Sequence, residues 1–280
     1  PSFLNVIDYV TIATTGNATD FGNLASTTQE GGGIGSPTRG FHFGGDPALN
    51  TIEYVTFSST GNATDFGDTT GDQSKHGIGG ADRTRGIMYL GWANPARVNI
   101  IEYITTASTG NAIDFGDLPT RRMYAGSCSN STRGVFAGGL YYPTRANIIE
   151  YITIATTGDA VDFGNYLSPI TGSAGVSSPT RGVFGPCNNG SSPTITNTIG
   201  YITIATTGNA LDFGDATVAR DAISSVCSTV RGVFAGGRTG PPAAEALKNE
   251  MDYITIASLG DATDFGDLEV AKRYSMGCSD

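Results

Sequence analysis

The chain has 280 residues, 40 of them glycine, and only 15% of its side chains are charged. Lys and Arg total 16 against 26 Asp and Glu, which gives a formal net charge of -10. Binding to nucleic acid or docking on anionic lipid needs a cationic face, so neither partner is expected. No apolar run approaches the roughly 20 residues of a membrane helix, so membrane insertion is not expected. The low charge also excludes a disordered chain.

One template begins at Ile7 as IDYVTIATTGNATDFGN and recurs along the whole chain. In every copy the Asp of Asp-Phe-Gly follows the Tyr by 11 residues. The six tyrosines that mark the copies are Tyr9, Tyr54, Tyr103, Tyr151, Tyr201 and Tyr253. Their spacing varies from 45 to 52 residues while the motif keeps its length. The motif is therefore predicted to be framework, and the intervening segments to contain the loops.

A second element lies between successive copies of the first. It is an Arg-Gly pair followed by apolar residues and glycine, as in RGFHFGG at 39–45 and RGVFAGG at 133–139, and each copy follows a Ser/Gly-rich stretch. The arginines of its five copies are Arg39, Arg85, Arg133, Arg181 and Arg231.

The residues of both elements favour strands. IEYITIA at 149–155 is almost entirely β-branched, aromatic or small, and it carries apolar groups on both faces, which is typical of a sheet covered on both sides. The Gly-Asn or Gly-Asp that follows predicts a tight hairpin into the Asp-Phe-Gly strand. No window has a convincing helical period. Each repeat therefore predicts four short strands.

Four antiparallel strands in about 48 residues, repeated six times, are typical of a β-propeller. The prediction is an all-β, six-bladed β-propeller that forms a single domain over residues 1–280. A linear solenoid has shorter coils, and a sandwich does not repeat six near-identical hairpins.

The order Arg, small-residue strand, Gly-Gly, Tyr and then an aromatic residue resembles the kelch repeat. Phe21, Phe66 and Phe115 stand where kelch blades usually have Trp, and the Tyr-to-aromatic interval of 12 residues is longer than usual. More narrowly, the tandem units resemble repeats in virion structural proteins of marine phages, including cyanophages. This resemblance implies a structural or fibre-like protein located in the virion.

The two ends of the chain are expected to share one blade. Tyr9 to Tyr253 spans 244 residues, which leaves 36, about 13 short of a further repeat of about 49. The N-terminal hairpin and a strand over RYSMGCS at 273–279 are predicted to meet. The absent Arg-Gly strand is either dispensable or supplied by Pro1–Leu4 or by adjoining polypeptide, in which case the chain is a segment of a longer protein.

The five arginines at one repeat position are expected to lie on a circle. They either form a cationic ring at a channel mouth that holds an anion, or each pairs with a framework carboxylate such as the Asp of Asp-Phe-Gly. The second interpretation, a structural ring, is preferred because such carboxylates are available in every repeat.

No cofactor is expected. Oxygen pairs such as Asp65 with Asp68 are compatible with a Ca²⁺ site, but Asx followed by Gly is ordinary turn chemistry and no DxDxDG spacing is present. Cys128, Cys227 and Cys278 are predicted in the same strand of three blades, too far apart to form a disulfide. Cys187 begins a loop. The histidines, His42 and His76, occupy unrelated positions, which argues against a zinc site or a catalytic triad.

The segments after the Arg-Gly strands differ most between repeats, and they are predicted to emerge on one face. Arginine and aromatic side chains are frequent binding anchors. The candidate binding residues are Trp92, Arg97, Tyr141, Tyr142, Arg145, Asn188 and Arg238. Ordinary variation of solvated loops explains the same differences.

These observations predict a non-catalytic virion module, such as a tail fibre, spike or capsid decoration, that presents loops to other virion proteins or to a host-surface glycan or protein. A symmetric homo-oligomer is compatible with this role. The alternative is a secreted or cell-surface propeller lectin. A propeller glycosidase is less favoured, because its axial carboxylates come from non-equivalent positions, whereas Glu53, Glu102 and Glu150 recur as framework.

Overall fold

The computed structural model describes residues 3–73, 78–93, 96–141, 143–190, 194–240 and 244–279. In chain order its strands are β1 (Leu4–Tyr9), β2 (Thr19–Thr28), β3 (Gly32–Gly35), β4 (Arg39–Phe43), β5 (Leu49–Thr56), β6 (Thr64–Gln73), β7 (Ile78–Ala81), β8 (Arg85–Tyr89), β9 (Trp92–Ala93), β10 (Ala96–Arg97), β11 (Ile100–Thr105), β12 (Ile113–Asp117), β13 (Gly126–Ser129), β14 (Arg133–Ala137), β15 (Leu140–Tyr141), β16 (Thr144–Thr153), β17 (Val161–Ile170), β18 (Gly175–Ser177), β19 (Arg181–Phe184), β20 (Cys187–Asn188), β21 (Ile195–Thr196), β22 (Thr198–Thr203), β23 (Leu211–Asp215), β24 (Ser224–Cys227), β25 (Arg231–Ala235), β26 (Arg238–Thr239), β27 (Ala246–Leu247), β28 (Glu250–Thr255) and β29 (Thr263–Asp267).

The strands form an all-β propeller with four-stranded antiparallel blades, as the repeats predicted. The blades are β3-β4-β5-β6, β7-β8-β11-β12, β13-β14-β16-β17, β18-β19-β22-β23 and β24-β25-β28-β29. In each blade the first strand is the Ser/Gly-rich segment, the second begins with the Arg-Gly pair, the third contains the motif tyrosine and the fourth contains Asp-Phe-Gly. No helix within the described ranges is long and apolar enough to cross a membrane.

The first strands pack side by side around an axial channel of about 560 Å³. Their small residues allow this close approach, because a Cβ on Gly175 would lie 2.1 Å from the carbonyl oxygen of Ser127 in the preceding blade. Serine hydroxyls add hydrogen bonds across the same joints: Ser225 Oγ donates to the Gly175 carbonyl at 2.7 Å. The Ser/Gly composition of these strands is thus a consequence of their position at the axis.

The core lies between blades, as expected for sheets that are apolar on both faces. One cluster combines Val135, Ile149 and Phe163 of one blade with Phe184, Ile202 and Ile204 of the next. Within a blade the motif Tyr meets the Phe of Asp-Phe-Gly edge-on, as in Tyr151 and Phe163, whose ring centroids lie 5.8 Å apart. Burial of these side chains is the main stabilising term at each joint.

The Gly-Asn and Gly-Asp pairs join neighbouring blades, and the prediction of a tight hairpin is wrong. Residues 57–63 connect β5 to β6, which is too long for a two-residue turn. The Gly61 amide donates to the carbonyl of Phe21 at 2.8 Å, and Asn62 Oδ1 accepts the Asn23 amide at 3.1 Å. We call this contact the latch. It recurs six times, with the amides of Gly16, Gly61, Gly110, Gly158, Gly208 and Gly260 donating to the carbonyls of Phe265, Phe21, Phe66, Phe115, Phe163 and Phe213.

Asp-Phe-Gly lies in the fourth strand, as predicted, and it is located at a β-bulge. The register shifts between Ile52 and Glu53, opposite Gly67 and Asp65, and equivalent shifts between the third and fourth strands occur in the other four blades. Gly67 has a φ of +150°, and a Cβ there would lie 2.5 Å from the Gly110 carbonyl oxygen of the next blade. Glycine is required because of the latch.

The β1–β2 hairpin is latched on both sides, to Phe265 through Gly16 and to Gly61 through Phe21. The C-terminal segment lies nearby: the Tyr274 amide donates to the Ala222 carbonyl at 2.8 Å, and the Glu30 amide donates to the Tyr274 carbonyl at 3.0 Å. Residues 273–279 form no strand, contrary to the prediction.

The two ends of the chain meet in an ion pair between Lys272 Nζ and Asp8 Oδ2, 2.6 Å apart. Leu4 opens β1, so it does not supply the absent Arg-Gly strand. Pro1 and Ser2 lie outside the described residues.

Candidate binding face

The five arginines of the Arg-Gly strands each bridge to the next blade. Arg133 Nη1 donates to the Ile204 carbonyl at 2.7 Å, and its guanidinium carbon lies 4.3 Å from the centre of the Tyr151 ring. The same pair of contacts is made by Arg39, Arg85, Arg181 and Arg231. Each guanidinium is thus held between an aromatic ring of its own blade and a carbonyl of the following blade.

This geometry corrects the expected partners of the arginines. None of the five forms an ion pair with a carboxylate among the described residues. They are also not among the residues that line the axial channel, whose one described arginine is Arg83. Each arginine donates to a carbonyl and not to a carboxylate, because the carbonyl lies at the end of a strand whose position is already fixed by interblade packing.

The candidate binding residues lie on short hairpins that join the second and third strands. Trp92 and Arg97 pair across β9 and β10, with the guanidinium 5.6 Å from the indole centre. Tyr141 on β15 is 56% exposed. Isolated bridges such as Thr171 with Asn188 join these hairpins to the segments that lead into the first strands, so both belong to one end of the propeller.

Three of the predicted residues contact neighbouring blades instead of projecting freely. Arg145 lies against Gly190, where a Cβ would be 2.6 Å from its Nη1. Asn188 Nδ2 donates to Asp221 Oδ2 at 3.3 Å, and Arg238 Nε donates to Asp221 Oδ1 at 2.8 Å. Tyr142 lies outside the described residues. The most exposed described anchor is therefore Tyr141, whereas Trp92 and Arg97 are half-buried.

A polar aromatic cluster, not predicted from the sequence, occupies the axial end of this face. The rings of Tyr124 and Tyr274 lie 5.6 Å apart, and the guanidinium groups of Arg238 and Arg273 lie 5.7 and 5.1 Å from the Tyr274 ring. Glu245 bridges the two arginines. No signal in the sequence indicated this cluster; in the structure, Glu30, Tyr124, Ala222 and Tyr274 share a positive φ two residues before a first strand, or before its C-terminal equivalent.

The cluster is internally neutralised. Burial raises the pKa of the Tyr124 and Tyr274 hydroxyls, so both stay protonated. Burial opposes the charge on Arg238, but hydrogen bonds to Asp221 and Glu245 raise the pKa of its guanidinium. Because each positive charge already has a carboxylate partner, the cluster is suited to hold the hairpins in place rather than to take a separate anion.

The carboxylates of the third strands are buried between blades. Glu102 accepts the Thr70 amide of the preceding blade at 3.1 Å, and Asp252 pairs with Arg220 at 2.8 Å. Burial raises the pKa of Glu102, Glu150 and Asp252, although Arg122 beside Glu150 and Arg220 beside Asp252 act in the opposite direction. These acids therefore stabilise contacts between neighbouring strands and blades.

The Asp-Phe-Gly corner also uses its polar groups in the latch. The amide of Asp68 donates to Asn111 Oδ1 at 3.1 Å, so the oxygen pair proposed as a Ca²⁺ alternative flanks an interblade hydrogen bond. Among the residues that the structure describes, no group of three His, Cys, Asp or Glu side chains is placed to hold a metal ion.

The four cysteines are free. Cys128 and Cys278 occupy one position of the first-strand register, whereas Cys227 lies one position further on. Their sulfurs fill the space beside a glycine of the next blade, Gly182 for Cys128 and Gly40 for Cys278. Burial raises the pKa of the Cys278 thiol to about 11. His42 is buried 3.7 Å from Glu53, and His76 lies outside the described residues.

Comparison with known proteins supports the fold. No family model and no curated protein matches the sequence. Among solved structures, YjhT, a kelch-repeat protein, superposes with a TM-score of 0.74 at 9% sequence identity, over 91% of this chain and 88% of that chain. The chain therefore has a kelch-like β-propeller fold.

Proposed function

We propose that the propeller has six blades and that both ends of the chain build the sixth. The β1–β2 hairpin supplies the third and fourth strands, and residues 275–279 take the place of the first strand. The proposal is supported by the six latches, which form an unbroken circle through Gly16 and Gly61. It is also supported by the position of Tyr274, which is bonded between Ala222 and Glu30 as Ala222 is bonded to Gly172.

The function that fits this ring best is a non-catalytic structural and binding module of a phage virion, acting as a tail-fibre, spike or capsid-decoration component. One observation carries the proposal: latches and arginine bridges repeat from blade to blade, and a buried acid recurs in every complete blade but that of Gly200, while the hairpins of one face differ most. A repeated frame with one variable face suits docking to other virion proteins or to a host surface. The resemblance of the repeats to marine phage virion proteins supplies the setting.

A cell-surface or secreted lectin is the second candidate, because exposed aromatic rings stack on sugars. Tyr141, at 56% exposure, is such a ring on the variable face. The two proposals differ in location, since a virion module is present in purified particles at a fixed copy number and a lectin is not.

The test asks whether the chain is present in purified particles, and it compares variants at the two ends of the propeller. Quantitative mass spectrometry of purified particles should find the chain at a copy number set by particle symmetry. Trp92→Ser with Tyr141→Ser should weaken attachment to particles stripped of this chain by at least tenfold. Val230→Ser with Leu259→Ser removes two exposed apolar side chains from turns at the opposite end and is the matched control. Absence from particles together with glycan-array binding would favour the lectin.

A further inference from the structure

The proposed sixth blade contains an apolar slot where its second strand is absent. A cavity of about 520 Å³ lies between β1 and residues 275–279. Its walls include Val226, Val233 and Met251 of one neighbouring blade and Phe41, Val55 and Phe57 of the other. We call this cavity the sixth-blade slot. β1 pairs with β2 on one edge and with no other described strand on the edge that faces the slot.

The contacts of an arginine are missing at this slot. In the five complete blades the guanidinium stacks on the motif tyrosine and donates to the carbonyl three residues after the motif tyrosine of the next blade. The corresponding groups here are the ring of Tyr9 and the carbonyl of Phe57. Tyr9 is 44% exposed, whereas the other five motif tyrosines are half-buried.

The residues that line the sixth-blade slot also determine which residues fit next to the arginine in a bound segment. In four of the five blades the glycine of the Arg-Gly pair makes room for a side chain of the preceding blade, as Gly232 does for Val176 and Gly182 for Cys128. Val226 is the equivalent side chain at the slot and requires a glycine opposite it. The aromatic residue two positions further packs on the preceding blade, as Phe234 packs on Ile199 and Phe213. At the slot, Val233, Met251 and Leu268 form the equivalent surface.

We propose that the sixth-blade slot is a binding site for an extended peptide segment with the pattern Arg-Gly-apolar-aromatic-small, inserted antiparallel to β1. This inference rests on the proposed six-bladed ring. Strand addition gains main-chain hydrogen bonds along the free edge, and the pockets for alternate side chains give specificity. A second copy of the chain is not the donor, since each of its Arg-Gly strands is already paired on both edges.

The probe is a synthetic peptide with the sequence of residues 130–139, which contains the complete Arg-Gly-Val-Phe-Ala element. Calorimetry should show one peptide bound per chain. Hydrogen exchange should slow in residues 4–9 and 275–279 when the peptide is bound. Peptides with Arg133→Ala, Gly134→Val or Phe136→Asp should bind at least fivefold more weakly, because they lose the Tyr9 contact, collide with Val226 or bury a charge.

The control on the protein uses two exposed tyrosines. Tyr9→Ala should abolish the preference for the Arg133 peptide over its alanine version, whereas Tyr141→Ala should leave it unchanged. No binding at 1 mM peptide, equal binding of all peptides, or protection outside the slot would overturn the proposal. Concentration-dependent dimers that protect residues 4–9 would also overturn it, in favour of a second copy. The hairpin variants Trp92→Ser and Tyr141→Ser should not change peptide affinity, so the slot and the proposed docking face fail independently.

Discussion

At the scale of single residues, the close approach of two blades determines which residues a position can hold. The glycine of Asp-Phe-Gly is fixed by the latch and not by a turn. Gly116 has a φ of +144°, and a Cβ there would lie 2.5 Å from the Gly158 carbonyl oxygen. Both the backbone conformation and the contact exclude a side chain, and the contact is with backbone that cannot rotate away.

Replacement of Gly116 by alanine should therefore lower the free energy of unfolding by about 3 kcal/mol or more, the cost of strain combined with overpacking. Gly158→Ala is the matched control. Gly158 has a comparable φ of +154°, but no atom lies within 4 Å of its added Cβ. Denaturant melts of both variants measure the contact alone. Equal losses would show that backbone conformation, and not the latch, requires glycine.

Buried acids make a second prediction at this scale. Burial raises the pKa of Glu102 in the folded protein. Its folded state then binds more protons than its unfolded state, so this residue's contribution to stability is largest below the ordinary glutamate pKa and is lost as pH rises through the raised value. Glu102→Gln removes that dependence and keeps an acceptor for the Thr70 amide.

The stability of the wild type relative to Glu102→Gln should thus fall as the pH rises above the ordinary glutamate pKa. Denaturant melts of both proteins at several pH values check the sign. Glu269→Gln, at an exposed site, controls for the change in net charge. A difference that rises with pH would contradict the assignment of a raised pKa.

At the scale of strands, the sequence predicted the four strands of each complete blade and their order correctly. It did not predict that the Gly-Asn and Gly-Asp connections form contacts between blades. The β-branched and aromatic composition of IEYIT and the repeated Arg-Gly element are local signals, and both became strands. The Gly-Asn pair looked like a hairpin because its conformational preference is local, whereas its use is an interblade contact between residues about 40 apart, such as Asn23 and Asn62. The sequence of a single repeat does not indicate long-range partners of this kind.

One repeat breaks the pattern, and its exception tests the packing between strands. Gly200 replaces the third-strand acid, and the ring of Tyr166 fills the vacated space, with its hydroxyl donating to the Phe184 carbonyl at 3.1 Å. Gly200→Glu should clash with this ring, and Tyr166→Leu should leave a cavity, each costing about 2–4 kcal/mol.

The double variant restores the Glu and Leu combination found at Glu150 and Leu118. It should cost at least 1 kcal/mol less than the sum of the single changes, since coupled neighbours are not additive. A double-mutant cycle by denaturant unfolding measures this coupling. Strict additivity would mean that the two residues do not share one space.

At the scale of the whole molecule, comparison of the repeats predicted the architecture and the face that varies, but not the axial cluster. The cluster of Tyr124, Tyr274, Arg238 and Arg273 joins residues that lie outside both repeated motifs and come from distant parts of the chain. Only the ring geometry brings them together. The candidate hairpin residues were found because they lie in unrepeated segments, but their contacts with one another depend on neighbouring blades.

The ring should be least stable where the two ends of the chain meet. β1 pairs along one edge and borders the sixth-blade slot, so its amides lack the second neighbouring strand that protects each other third strand. Two latches and the Lys272–Asp8 ion pair still hold the hairpin, so it should open locally without unfolding the other blades.

Hydrogen exchange in residues 4–9 should therefore be at least tenfold faster than in the equivalent residues 149–154. Lys272→Ala should accelerate exchange in 4–9 and leave 149–154 unchanged. Equal protection of the two segments would mean that the slot edge is already satisfied, and cooperative exchange of all blades would mean that the ring opens only as one unit.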